Sequence, residues 1–165
     1  MMFETYTIAL FGNRELTNGL TIERYLENKL SELAASHAHL TVLVGRNGEF
    51  DLLASSVVRR LQARIGRERC IHTLVLPYPT KELLENKESY TAYYDDIRID
   101  TEVQTAHFKT AITIRNRRMI EEADLVVVWA EHPGGADNAY RYAQKHQIAA
   151  VNLAIQKITD GITKL

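Results

Sequence analysis

Four stretches of this chain set glycines beside arginines and carboxamides directly after an apolar, β-branched run. That arrangement lets backbone amides and a guanidinium converge on a phosphate, a carboxylate or a sugar. The first stretch is Gly12-Asn13-Arg14-Glu15. Gly12 allows a sharp turn or the close approach of a ligand, and Arg14 offers a planar, permanently charged fork. The competing explanation is a plain strand-to-helix loop with a solvated arginine. The second is Gly45-Arg46-Asn47-Gly48-Glu49-Phe50-Asp51, with two glycines ahead of a helix start. Free amides and the helix dipole there favour an anion. The stretch is neither a Walker loop nor a Gly-x-Gly-x-x-Gly fingerprint. Asp51 is expected at the helix N-cap, with or without a ligand contact.

The third stretch, Arg115-Asn116-Arg117-Arg118-Met119, lies inside a helical segment. Phe108, Ile112, Met119 and Ala123 define its apolar stripe, and Arg115 falls on that stripe. A charge on a buried face is costly unless it is paired or opens onto a polar cleft, which favours Arg115 over Arg117 and Arg118. Snorkelling to water is the bland alternative. With the charge at a cleft, Arg115→Ala is expected to abolish ligand binding and to change stability by less than about 1 kcal/mol. The fourth stretch, Glu131 to Asn138, contains Pro133-Gly134-Gly135, which suits a phosphate or a sugar but is also ordinary turn punctuation. Asp137 in the first helical turn suits a ribose hydroxyl. The expected ligand-binding set is therefore Gly12, Asn13, Arg14, Gly45, Gly48, Glu49, Asp51, Arg115, Asn116, Gly134, Gly135 and Asp137.

The elements that must position these residues alternate along the chain. Residues 5–11 (TYTIALF), 40–44, 71–76, 124–129 and 148–153 read as strands, with the continuous apolar character of strands covered on both faces. Segments 21–36, 51–65, 105–123 and 136–146 carry helical periodicity. The pattern predicts an α/β, Rossmann-like three-layer sandwich with a mainly parallel sheet of about five strands, as one domain over 1–165. One connection breaks the rhythm. It spans about 77–104, holds Tyr78, Tyr90, Tyr93 and Tyr94, and carries a short helical pattern at 81–87. Its length suggests a lid that closes over a base or sugar.

With 165 residues, 45% hydrophobic and 25% charged, the composition is that of an ordinary globular domain. No apolar run approaches the roughly 20 residues of a membrane span, and the start MMFETYT does not resemble a signal peptide. Cys70 is the only cysteine, which excludes an internal disulfide and fits a reducing cytoplasm. No spaced Cys or His set suggests a metal, and no cofactor is implied beyond a nucleotide-derived ligand. The formal net charge of −1 provides no global basic field. The arginines at 59, 60, 64, 67 and 69 read as a solvated helix face, because no aromatics interleave them.

In order and spacing the four stretches resemble the SLOG superfamily, Rossmann-like proteins related to the Lonely-guy phosphoribohydrolases and to the DNA-processing protein of transformation. The likeness is to its small, single-domain bacterial members. Their first strand typically ends in Gly-His-Arg, where this chain has Gly12-Asn13-Arg14. Their second ends in Gly-Gly-Phe-Asp, where this chain has Gly48-Glu49-Phe50-Asp51. Their Arg-Asn-x-x-Met matches Arg115, Asn116 and Met119, and their Gly-Gly-Ala matches Gly134, Gly135 and Ala136. The likeness runs from about residue 7 to residue 151. It implies binding of nucleotides or nucleotide-derived signals without assured catalysis. In the Lonely-guy motif Pro-Gly-Gly-x-Gly-Thr-x-x-Glu the glutamate is catalytic. This chain has Pro133, Gly134 and Gly135, but Asp137, Asn138 and Arg141 stand where the glycine, threonine and glutamate would be.

The first-ranked expectation is thus a module that binds or senses a small nucleotide-like ligand. A nucleotide N-glycosidase or deoxyribosyltransferase is the enzymatic alternative, and a nucleic-acid or protein-interaction module is the third. Neutral charge places nucleic acid last, since phosphate neutralisation dominates such affinity. A homodimer or higher oligomer is expected by family analogy.

Overall fold

The computed structural model describes residues 4–99 and 108–163. Six strands form one sheet: β1 (Tyr6–Gly12), β2 (Leu40–Val44), β3 (Cys70–Leu76), β4 (Asp96–Ile99), β5 (Leu125–Trp129) and β6 (Ala150–Asn152). Their spatial order is β4-β3-β2-β1-β5-β6, and every pairing is parallel. The chain leaves β1 towards β2, β3 and β4, then returns to the other side of β1 at β5. The order therefore reverses between β1 and β5, and the loops that follow these two strands diverge there. In open α/β sheets that divergence opens a crevice at the carboxyl ends of the strands.

Alternate residues of each strand face opposite layers. Ile8, Leu10, Val42, Val44, Leu74 and Trp129 pack on one side with Ile22, Leu26 and Leu30 of α1 (Gly19–Ser36) and Phe50, Ala54 and Leu61 of α2 (Glu49–Ile65). Ala9, Phe11, Leu43, Val126 and Val128 pack on the other side with Met119 and Ile120 of α5 (Phe108–Glu122) and Ala136, Ala139 and Ala143 of α6 (Gly135–Lys145). The strands are apolar at successive positions because both faces are covered, which is the signal the sequence carries.

Two elements differ from the sequence expectation. β4 raises the strand count from five to six. It reads DIRI, and its charged residues hide it from an apolar-run criterion. As an edge strand it needs no continuous apolar face, and Arg98 forks onto Glu122 at 2.8 and 2.9 Å. The second is α7 (Leu153–Thr163), which follows β6 with no intervening loop. The Asn152 side-chain oxygen accepts the Ala154 amide at 3.1 Å and so caps the turn at the junction.

The tyrosine-rich connection is built from α3 (Lys81–Glu85), α4 (Lys87–Tyr93) and β4; residues 100–107 lie outside the described residues. Thr80 caps α3 by accepting the Leu83 amide. Tyr90 and Tyr94 are core residues. Asp95 anchors the segment: its carboxylate accepts the His72 amide at 2.8 Å and the Gln62 side-chain amide, and pairs with Arg67 at 2.9 Å.

His72 is fully buried against the Tyr93 and Tyr94 rings, with Nε2 3.1 Å from the Ser55 hydroxyl. Burial pushes its pKa down to about 4, against the pull of Asp95 and with the help of Arg59 and Arg67. The fold thus holds a neutral imidazole, whereas the unfolded chain takes up a proton near pH 6.5. The contribution is complete above that pH and is lost as pH falls towards 4. Denaturant unfolding should show an acid-side stability loss of about 3 kcal/mol over that interval that His72→Gln removes. Identical pH profiles for the two proteins would contradict this.

Candidate functional site

At the switch point a cleft of about 370 Å³ opens over the carboxyl ends of β1, β2 and β5. It gathers Gly12, Asn13 and Arg14 from the first loop, Gly45 and Asp51 from the second, Arg115 and Asn116 from α5, and Gly134 and Gly135 from the fourth. Asn47, Ile112, Met119 and His132 also line it, over Leu10, Phe11 and Ala136. Three expected residues do not face this cleft. Gly48 and Glu49 border a neighbouring hollow that shares Arg14. Asp137 turns to Arg141 at 3.0 Å and lines a separate depression with Lys157, which leaves the amides at the start of α6 without a competing carboxylate.

The glycines serve different ends. A Cβ on Gly12 would lie 1.9 Å from the Phe50 ring, so this glycine exists to let the first turn of α2 press on the end of β1. At Gly48 the φ of +152° and the contact with the Arg14 backbone, 2.9 Å from a Cβ, both require glycine. Gly45 makes room for polar side chains: its Cβ would lie 2.8 Å from an Arg115 nitrogen and 2.9 Å from an Asp51 oxygen. Only at Gly134 and Gly135, among the cleft glycines, does an added Cβ meet nothing within 4 Å. Close approach of a ligand to backbone is available there.

Several polar candidates are committed to the fold. Asn13 is buried; its amide donates to the Trp129 carbonyl, and its side-chain oxygen accepts the Glu131 amide at 2.9 Å. It therefore ties the first loop to the fourth. Glu49 ties the first loop to the second: its amide donates to the Arg14 carbonyl and its carboxylate accepts the Leu16 amide. Asp51 is not the N-cap, which is Gly48. It stands in the third helical position and reaches back to accept the Asn47 amide at 2.7 Å.

Arg115 is buried, donating to the Val75 carbonyl and to the Asn116 side chain, both at 2.8 Å. Burial pushes its pKa down, opposed by the charge of Asp51 and by Tyr78. Burial likewise pushes the Asp51 carboxyl up, while the Asn47 amide and Arg115 pull it back. Each charge makes the other tolerable at the floor of the cleft. Arg14, by contrast, is exposed at the rim.

The cleft does not end at α5. Ile112, Asn116 and Gly135 are shared with a groove between α5 and α6, lined also by Arg117, Arg141, Tyr142 and Lys145. The Arg117 guanidinium stands 5.2 Å from the Tyr142 ring centre. Sequence reasoning missed this groove because it looked for basic residues on α2 and in the turn that follows it. There Arg60 pairs with Glu23, Arg64 bonds Ser31, Arg69 bonds backbone carbonyls, and Arg59 lies over Tyr93. The available signal was Asn138, Arg141, Tyr142 and Lys145, spaced to share one face of α6.

Neither a family model nor a curated protein matches the chain. A solved structure of DNA processing protein A from Helicobacter pylori, known for its single-stranded DNA binding mode, shares the fold. The match has a TM-score of 0.62 at 19% identity and covers 88% of this chain and 63% of that one. This chain thus spans less than two thirds of the length of that neighbour.

The likeness corrects two expectations. It overturns the ranking of a small nucleotide-like ligand first, and it overturns the dismissal of nucleic acid on net charge. The physical error is plain in the groove. A sum of −1 over the whole chain hides Arg117, Arg141 and Lys145 gathered between two helices, with Arg141 paired to Asp137, while the carboxylates and arginines of α1 and α2 cancel each other elsewhere. Among the described residues, no helix is long and apolar enough to cross a membrane.

Two stability outcomes follow from the packing. Because Arg115 is buried with Asp51, Arg115→Ala should cost about 3 kcal/mol in urea unfolding, well above the sub-kilocalorie change expected of a solvated charge. A cost below about 1 kcal/mol would return Arg115 to the solvated class. Gly12→Ala should cost about 2 kcal/mol through overlap with Phe50. In a double-mutant cycle Phe50→Leu should recover part of that loss; strict additivity would exclude the contact as the cause.

Proposed function

We propose that this chain is a SLOG-type domain that binds single-stranded nucleic acid along the carboxyl edge of its sheet. The observation that carries the proposal is the continuity of the switch-point cleft with the α5–α6 groove. A strand could bring a phosphate close to the unobstructed backbone of Gly134 and Gly135, where the α6 dipole favours negative charge. It would then follow Arg117, Arg141 and Lys145 along the groove, with the Tyr142 ring beside it. A basic track with an aromatic beside it is the usual means of holding a strand without reading its sequence. The fold shared with DNA processing protein A supports the same partner class.

The cleft and groove suit a flexible strand better than a rigid duplex, because the path bends from the end of the sheet onto the helical layer. Its affinity should depend on salt, since each neutralised phosphate releases counterions. Fluorescence anisotropy with a labelled oligothymidylate tests this directly. The wild type should prefer single strand to duplex. Its log-log salt slope should be about −1.4 for the two contacts of Arg117 and Lys145, Arg141 being shared with Asp137. Joint replacement of Arg117, Arg141 and Lys145 by glutamine should weaken binding at least about tenfold and flatten that slope. Absence of binding at low salt, or an unaltered slope in the triple variant, would overturn the proposal.

A further inference from the structure

We propose that a second cavity, beneath α3 and α4, takes one nucleobase of the bound strand. This rests on the nucleic-acid reading and extends it away from the α5–α6 groove, to the opposite side of the cleft. Arg14, at the rim of the cleft, also borders the neighbouring hollow with Arg46, Leu52 and Glu82. Those three residues in turn line a cavity of about 430 Å³ with Ser89, Tyr90 and Tyr93. One path thus leads from the switch point over Arg14 into an aromatic pocket.

The chemistry of the pocket selects its occupant. Among the described residues Arg46 is the one guanidinium in its lining, and Glu82 neutralises it at 2.9 Å while the Tyr94 hydroxyl accepts from it at 3.0 Å. Arg46 also lies over the Tyr90 ring, 4.8 Å from its centre. A pocket with its cation paired to a carboxylate has no excess charge for a phosphate. It offers rings, the exposed Leu52 side chain and neutral hydrogen-bonding groups, which suit an uncharged planar base. The Tyr90 hydroxyl is buried in this lining beside the Glu82 carboxylate. Burial and the Glu82 carboxylate raise its pKa to about 12, so it keeps its proton and stays a hydrogen-bond donor at the pocket wall. The size is adequate, since small-molecule pockets begin near roughly 300 Å³.

Photocrosslinking of the full chain to an oligothymidylate carrying 4-thiothymidine, with mass spectrometry of the adducts, tests the proposal. A crosslinked peptide containing Tyr90 or Tyr93 is the expected result. Two variants accompany it. Tyr93→Ala removes a ring, and Ser89→Leu fills the cavity from an exposed position without touching the core. Each should weaken oligothymidylate binding about tenfold, the scale of one lost base stack. If Tyr93→Ala does not fold, Ser89→Leu and the wild-type crosslink decide. Wild-type protein that binds the oligonucleotide, crosslinks only at the α5–α6 groove and is insensitive to Ser89→Leu would overturn the base pocket and leave the proposed function standing. Wild-type protein that binds no oligonucleotide would overturn both.

Discussion

The Phe50 ring occupies the space where Gly12 would carry a side chain, and much of the cleft depends on that contact. It fixes the first turn of α2 against the end of β1. With α2 held there, Gly48 closes on the backbone of Arg14, Glu49 bonds both ends of the first loop, and Asp51 reaches the amide of Asn47. Asp51 in turn makes a buried Arg115 tolerable from the far side of the sheet. The cleft floor is therefore a chain of steric and electrostatic dependencies that begins with one missing methyl group. Asn13, Asp51 and Arg115 are engaged within the fold, which on the proposed reading leaves recognition to the approachable backbone at Gly134 and Gly135 and to the cations along the rims.

On the proposed reading, that division is how a nearly neutral protein would offer a track for a polyanion. Between α1 and α2 the acids and arginines cancel locally; Arg60, for instance, meets both Glu23 and Glu27. The α5–α6 groove gathers its cations with less cancellation, though Arg141 holds Asp137. The field close to a surface depends on where charges lie, and screening over roughly 10 Å at ordinary salt removes the distant ones from account. Net charge speaks to solubility and long-range steering more than to a groove a few residues wide.

The fold was largely legible in the sequence, because a parallel sheet buried on both faces writes itself as apolar runs such as LTVLV and LVVVW. β4 escaped because an edge strand with Asp96 and Arg98 lacks that signature, and α7 because Asn152 turns a strand into a helix without a loop to mark the change. The loops of the site were legible as places, since glycines followed strands. Their roles were not. Whether a glycine serves a ligand or a neighbour depends on what stands opposite. Phe50 stands opposite Gly12 and open space stands opposite Gly134, a distinction that only the tertiary structure contains. Arg115 was singled out as a charge on an apolar stripe, and the structure buries it there. Its companion Asp51, sixty-odd residues earlier in the chain, could not be paired with it from spacing alone.

The sheet order also bears on how the chain comes together during synthesis. β1 is central, flanked by β2 and β5, and its start is tied to the second half by the Thr7 amide, which donates to Asp124 across 117 residues. At the roughly 5–20 residues per second of translation, β1 waits on the order of ten seconds for its second neighbour. Through that interval β1, β2 and β3 can form a partial sheet with α1 and α2, but one long apolar edge stays open. The strand that later bounds the cleft is thus the strand most exposed to mispairing while the protein is made, and a chaperone that shields an unfinished sheet edge would find its target at residues 6–12.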